Sequence, residues 1–387
     1  MITVEARTDI ISTEACRGDW GLSVLNEELA SQGSRFTSTL PFLHMGEEPY
    51  FNIASEFLAR RSSCFEAGVS ARLLEQHYGL TGEINLLSSE TERTEEIRLP
   101  DGRRLILKTS SHPEAVNSFR FQATALLGLE GAEAFSAPRI IRSVNGSHVV
   151  EEAGLCAYLQ TRLEGKPLHA TAPSADLLFR AGSSLAALDK ALGHLRLPAA
   201  DRPILWHVGC WPRLMKFHHY VPQGTVADNV YKAMDGYVTS IQPNLSELEW
   251  QVTHNDPSPF NMLSTETGVA FIDFGDGCWN PRIQDLAIAA SHMVTDCTLP
   301  LGGAEHLIAG YASRLPLSPF EASVLVGLMR ARQSALILVN YWRSQLFPEQ
   351  ATYIKKNVAR AEKGLTILQR LCAPDGEMAV LRANKLS

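Results

Sequence analysis

VTHNDPSPFNMLSTETGVAFIDFGDGCWNPRIQDLAIAA, residues 252–290, is the stretch on which the reading of this chain turns. Within it His254, Asp256 and Asn261 form an H-x-D-x-x-x-x-N arrangement, and an apolar strand running into Ile272-Asp273-Phe274-Gly275-Asp276 follows closely. Phosphoryl transfer explains why these residue types stand together. A carboxylate must orient the attacking hydroxyl and take its proton, and oxygen ligands must hold the magnesium that bridges the nucleotide phosphates. Asp256 suits the first task. Asn261, on a loop, and Asp273, at a strand end, suit the second. A lone Asp is usually a turn or cap residue, but one that closes an apolar strand needs another reason to be there. His254 reads mainly as a loop brace, with a catalytic part as the competing expectation. Asp276 is balanced between a turn and a functional role. Asp285 opens the apolar helix DLAIAA, where capping competes with bracing the loop.

Upstream, residues 66–80 carry apolar positions at helical spacing, broken by Gly79. EINLLSS, TEEIRL and RRLILKT then read as strands, the last two joined by a hairpin turn at Pro100-Asp101-Gly102. Residues 115–129 predict a helix. Residues 140–152 predict a second hairpin with Asn145-Gly146 at its tip, and CAYLQTRLEG continues as a strand. Past Pro167 long helices take over, at residues 177–192, 227–241, 283–293, 319–346 and 353–371, with short strands near 250–253 and 269–272. The fold class that follows is α+β: a small mostly-β lobe over residues 66–163, then a larger mostly-α lobe over 164–387. Residues 1–65 are set aside as an N-terminal extension, with a short helix expected at 22–29.

The bulk properties exclude more than they select. The chain has 387 residues, 45% of them hydrophobic, enough for two lobes with a substantial core. Its net charge of -7 and lack of a dense basic run argue against nucleic acid or an anionic membrane as partner. Seven scattered cysteines with no C-x-x-C pair predict reduced thiols in a cytoplasmic protein. No secretory signal and no uninterrupted apolar stretch of membrane-spanning length are expected.

The central run resembles the phosphotransferase-enzyme family of aminoglycoside, choline, homoserine and methylthioribose kinases. The likeness rests on H-x-D-x-x-x-x-N, then I-D-F-G-D, then N-P-R-I-x-D-L-A, and extends over about residues 66 to 345. It implies a bilobal protein-kinase-like fold, with Asp256 as base, Asn261 and Asp273 as Mg2+ ligands, and ATP or GTP as donor. It also places Lys108, in Leu105-Ile106-Leu107-Lys108, on the nucleotide phosphates. The loop over the phosphates should fall near residues 87–94, where the sequence SSETERT has no glycine. Ser88 and Ser89 are its candidate phosphate donors, while Glu90 and Glu92 would repel phosphate unless they point away. Kinase-like proteins usually give the lysine a Glu partner from the following helix. Here Gln122 stands there, able to accept a hydrogen bond but bringing no charge. Gln160 and Leu163 lie in the connector against which the base would sit.

Within the family, the run is most similar to the hydroxylysine-kinase branch, which fits Gln122 and the segment Leu185-Ala186-Ala187-Leu188-Asp189-Lys190-Ala191-Leu192. That implies a small zwitterionic or cationic acceptor, a hydroxylated amino acid or amino alcohol. A zwitterion needs a cation for its carboxylate and carboxylates or aromatics for its ammonium. Arg282 and Trp279 are the first candidates, followed by Arg330, Arg213 and Asp276. Arg330 and Arg332 lie on opposite faces of one helix, so at most one of them faces a pocket. An antibiotic phosphotransferase and a non-catalytic nucleotide-binding scaffold are the alternatives, and the extension is a candidate for forming a homodimer.

Overall fold

The computed structural model describes residues 46–60, 68–87, 92–266 and 268–386. The helix expected at 22–29 and the candidates Ser88 and Ser89 lie outside the described residues.

Alternation along the strands of the small lobe sets its two faces. Helix α2 (Val69–Leu73) runs on as a π-helical turn (Leu74–Tyr78) that stops at Gly79, whose φ of 61° suits glycine. Strands β1 (Glu83–Leu87), β2 (Arg93–Arg98), β3 (Arg104–Ser110), β4 (Ile140–Ile141), β5 (Val150–Glu152) and β6 (Leu155–Thr161) form one antiparallel sheet, ordered β1-β2-β3-β6-β4, with β5 also on β6. Leu105, Leu107, Ala157 and Leu159 face one way and build a core with Leu73, Leu74 and Tyr78 of α2. The period of two then turns Lys108 and Tyr158, a cross-strand pair, to the other face, where helix α3 (Ala115–Gly128) packs. The expected hairpin over 140–152 does not form as such. Its two arms do not pair with each other; both pair with β6, one after the other along the same edge.

The large lobe is built on one helix. Strand β7 (Lys166–Pro167) and α4 (Ala175–Gly193) lead into a long 3-10 segment (Val208–Tyr220), which the sequence reading missed, and then α5 (Thr225–Gly236). Strands β8 (Trp250–Thr253), β9 (Met262–Ser264), β10 (Val269–Phe271) and β11 (Cys278–Pro281) form two small sheets, β10-β9-β7 and β11-β8, that carry the segment 252–290. Helices α6 (Ile283–Met293), α7 (Glu305–Arg314), α8 (Pro319–Leu346), α9 (Ala351–Ile354), α10 (Val358–Leu368) and α11 (Ala373–Ala383) complete it. Ser318 and Glu321 form a capping box at the start of α8. That helix is long and apolar enough to span a membrane, but 83% of its apolar window is buried inside the protein, as befits a core helix.

The span set aside as an extension includes one described helix. Helix α1 (Glu47–Leu58) packs onto the large lobe, burying Tyr50 and Phe51. The Tyr50 hydroxyl donates to the Arg202 carbonyl at 2.9 Å and accepts from the Ile204 N–H at 3.2 Å. The described residues, from 46 to 386, belong to one compact unit.

Candidate active site

Two polar clusters are linked through His254, which meets the Ile272 carbonyl beside Asp273 and accepts from the Asp256 N–H. On the small-lobe side, the Lys108 ammonium lies 2.8 Å from Asp273 Oδ1, 3.0 Å from Gln122 Oε1 and 3.0 Å from Glu92 Oε2. Gln122 passes the network on: its amide donates to Glu92 at 2.8 Å, and its oxygen accepts from the Tyr158 hydroxyl at 2.7 Å. Burial alone would lower the lysine pKa, but the Asp273 and Glu92 charges outweigh it and hold the ammonium well above its usual value. Lys108 in turn keeps Asp273 below the usual carboxylate range. The charge that Gln122 lacks is thus supplied by Glu92, which turns inward from the start of β2. Sequence reading set Glu92 aside as a phosphate-repelling loop residue. Its one signal was its place directly before a strand that pairs Thr94 with Lys108.

The other cluster surrounds Asp256. Asn261 Nδ2 donates to Asp256 Oδ2 at 2.7 Å and to the Asp256 carbonyl at 3.1 Å, while Arg332 Nη2 approaches Oδ1 at 3.3 Å. The loop that presents Asp256 is held from below. Asp285 accepts the backbone N–H groups of His254 and Asn255, both at 2.7 Å. Asn255 adopts φ 61° and Asp273 φ 63°, left-handed backbone that Asn and Asp tolerate better than most residues. His254 is fully buried. One ring nitrogen meets the Ile272 carbonyl at 3.1 Å and the other accepts from the Asp256 N–H at 3.3 Å, while burial lowers its pKa to about 4. The catalytic part considered for His254 is therefore corrected: a neutral imidazole with both nitrogens engaged ties the Asp256 loop to the strand end that bears Asp273.

Beneath Asp285 lies Asp189 of α4. Burial and the neighbouring Asp285 charge put its pKa well above the carboxylate range, and burial raises Asp285 to about 6. The Tyr311 hydroxyl donates to Asp189 Oδ2 at 2.6 Å.

The other expected substrate residues stand elsewhere. Arg282 is buried and paired with Glu321 at 2.7 Å and Glu249 at 2.9 Å, joining the start of α6 to the capping box of α8. Arg330 donates to the Leu368 and Leu371 carbonyls at the end of α10. Arg213 pairs with Glu47 and Glu48 of α1. Trp279 sits in β11, its backbone bonded to Ala200 and His207. These positions correct the first choices: each of these arginines answers a structural demand away from Asp256. Of the two arginines on opposite faces of α8, Arg332 faces the cleft. Asp276 lies near enough to Arg332 and Arg202 to act on both charges. Gln160 is buried in the sheet, paired with Ile106 and Ile140, and Leu163 stands just past its end.

The residues fit an oxygen-ligated cation. Asn261 spends its amide N–H groups on Asp256, which leaves its oxygen for another partner, and the Asp273 side chain is 54% exposed to the cleft. No cluster of three or more His, Cys, Asp or Glu suited to a metal occurs among the described residues. A magnesium ion completed by phosphate oxygens and water does not need one.

Known proteins share this plan. The profile of the phosphotransferase enzyme family matches residues 83–317. A hydroxylysine kinase of Mus musculus is 26% identical over 236 residues, 57% of this chain and 62% of that protein. One of Danio rerio is 24% identical over 323 residues, 77% of this chain and 89% of that protein. The chain spans about 60% of the length of the Mus musculus and Bos taurus relatives it matches. Among solved structures, an amicoumacin kinase in complex with AMP-PNP, Ca2+ and Ami superposes with a TM-score of 0.58 at 14% identity, over 80% of this chain and 95% of that one. A microcompartment-associated aminopropanol kinase gives 0.54 at 16% identity, over 79% and 98%. Their likeness is one of fold: α+β, bilobal and protein-kinase-like.

Proposed function

The chain belongs to the phosphotransferase enzyme family, and we propose that it is a small-molecule kinase that transfers the γ-phosphate of ATP or GTP to a hydroxyl of a hydroxylated amino acid of the hydroxylysine kind. The observation that carries this reading is the pairing of clusters: Asn261 and Arg332 orient the Asp256 carboxylate, and His254 ties its loop to the strand end whose Asp273 pairs with Lys108.

In this reading Asp256 accepts a hydrogen bond from the acceptor hydroxyl and takes its proton as the oxygen attacks. Asn261 and Arg332 hold that carboxylate in one orientation, so little reorganisation is needed at the moment of transfer. Lys108 places its charge on the nucleotide phosphates, and Glu92 with Gln122 keeps the lysine aimed at the cleft. Asn261 and Asp273 would hold Mg2+, which neutralises the charge of the phosphates it bridges. The acceptor class rests on the hydroxylysine kinases named above and on Arg332 beside the base, a cation unsuited to a polycationic antibiotic.

The test is nucleotide turnover with Mg2+ against 5-hydroxylysine, homoserine, threonine, ethanolamine, choline and an aminoglycoside. The expected result is acceptor-dependent turnover that is fastest with a hydroxylated amino acid. Preference for choline or an aminoglycoside would overturn the acceptor class, and nucleotide binding without transfer to any acceptor would favour a scaffold.

A further inference from the structure

Helix α1 lies outside the stretch that matches the family profile, residues 83–317, yet its contacts lead to the strand end that bears Asp273. Tyr50 of α1 is 2% exposed, and its hydroxyl bonds to both the Arg202 carbonyl and the Ile204 N–H. That fixes the backbone from which the Arg202 side chain projects. Arg202 Nη2 donates to the Gly275 carbonyl at 2.7 Å, and Nη1 donates to the Ala199 carbonyl at 3.2 Å. The Phe121 ring centre of α3 lies 4.3 Å from the guanidinium carbon. The same ring packs against Gly277, where an added Cβ would fall 2.5 Å from it. Gly275 in turn donates its N–H to the Asp273 carboxylate, and Asp273 itself stands at φ 63°. A residue in left-handed backbone keeps that conformation only where its surroundings over-determine it. The Asp276 and Glu92 charges also act on Arg202, so its guanidinium sits among the groups around Asp273.

We propose that Arg202, set in place by helix α1 through Tyr50, is a positioning residue for Asp273. The inference rests on the kinase reading above, in which Asp273 holds Mg2+, and it adds α1 to the support of the metal-nucleotide site. The shape of the side chain counts for more than its charge in this role. A guanidinium reaches two carbonyls while lying against a ring, which an ammonium cannot do. Its charge works against the role, because a cation near Asp273 repels Mg2+. Removing Arg202 would therefore strengthen metal binding if charge alone counted, and weakens it if the geometry of the loop counts.

The experiment measures how far Mg2+ strengthens ADP binding, from the ADP dissociation constants with Mg2+ and with EDTA. Arg202→Gln should cut that gain about tenfold and Tyr50→Phe about threefold, the range expected for one lost hydrogen bond. Arg202→Lys should stay close to Arg202→Gln, since the charge returns without the fork. In EDTA, ADP should bind each variant within about twofold of wild type. Arg202 is half-buried on a loop, so its two variants decide the matter even if Tyr50→Phe does not fold. A gain in Arg202→Gln no smaller than in wild type, or full recovery in Arg202→Lys, would overturn the inference and leave the kinase reading intact. A gain lost in the variants, while the wild type transfers phosphate from Mg-ATP to no acceptor, would keep the inference and sink the kinase reading.

Discussion

Single side chains decide how the site is charged. Glu92 is the residue whose part was hardest to read, because a glutamate in a loop beside phosphates looks misplaced until its side chain is seen to turn inward. In the reading above its carboxylate aims Lys108, so Glu92→Gln should raise the nucleotide KM about tenfold while the fold persists; an unchanged KM would remove Glu92 from the site. The buried histidines set the response to acid. His207 and His254 titrate near 4 and His292 near 3, against an ordinary value of 6.5, chiefly because burial disfavours the charged ring. Their stabilisation is complete above about pH 6.5 and is lost as the pH falls toward 4. The Asp189–Asp285 pair works in the opposite sense. With Asp285 raised to about 6 and Asp189 also raised well above its usual range, its contribution is complete below about pH 4 and is lost as the pH rises through the raised values. Three histidines outweigh two carboxyls, so the melting temperature should fall between pH 6.5 and 4.5. Asp189→Asn keeps a polar partner for Tyr311 but removes a carboxyl whose raised pKa opposes the histidines, so it should steepen that fall. A melting temperature that stays flat over this range would contradict the assignment.

At the scale of elements, periodicity made most of the fold legible. Helices α6 and α8 and strand β8 match their expected limits, because each carries a clean apolar period between strong stop signals. What escaped had weak local signals. Helix α7 is a short run preceded by Gly302-Gly303 and carrying Gly310, and the 3-10 segment at Val208–Tyr220 contains Pro212, so neither shows the 3.6-residue stripe of a long helix. The arms of the expected hairpin went to β6 because a long buried strand offers more pairing than a two-residue arm does. Helices α4 and α7 cross at two glycines: a side chain on Gly182 would strike the Leu307 carbonyl, and one on Gly310 the Phe179 carbonyl. Backbone cannot yield as a side-chain tip does, so Gly182→Ala and Gly310→Ala should each destabilise the large lobe by about 3 kcal/mol, at the upper end of overpacking costs. Denaturant midpoints check this, and a loss below 1 kcal/mol would show that the crossing is looser than described.

Across the whole molecule, sequence and structure agree where chemistry constrains them and part where packing alone decides. That Asp256 would stand by Asn261, and Asp273 by Lys108, was legible because their spacing is fixed by a loop and two strand ends. The acceptor side was not, because an arginine on a helix gives no sign of which way it faces. Arg282, Arg330 and Arg213 hold carboxylates and helix ends, while Arg332, read as the alternative to Arg330 on the opposite helix face, lies beside Asp256. The central claim is that Asp256 is the base of a hydroxyl-directed phosphoryl transfer. Its most direct test is single-turnover transfer from Mg-ATP to 5-hydroxylysine by the wild type and by Asp256→Asn, with nucleotide affinity measured alongside. The account predicts unchanged nucleotide binding and transfer slowed about 100-fold or more. Transfer within a few-fold of wild type in Asp256→Asn would contradict it.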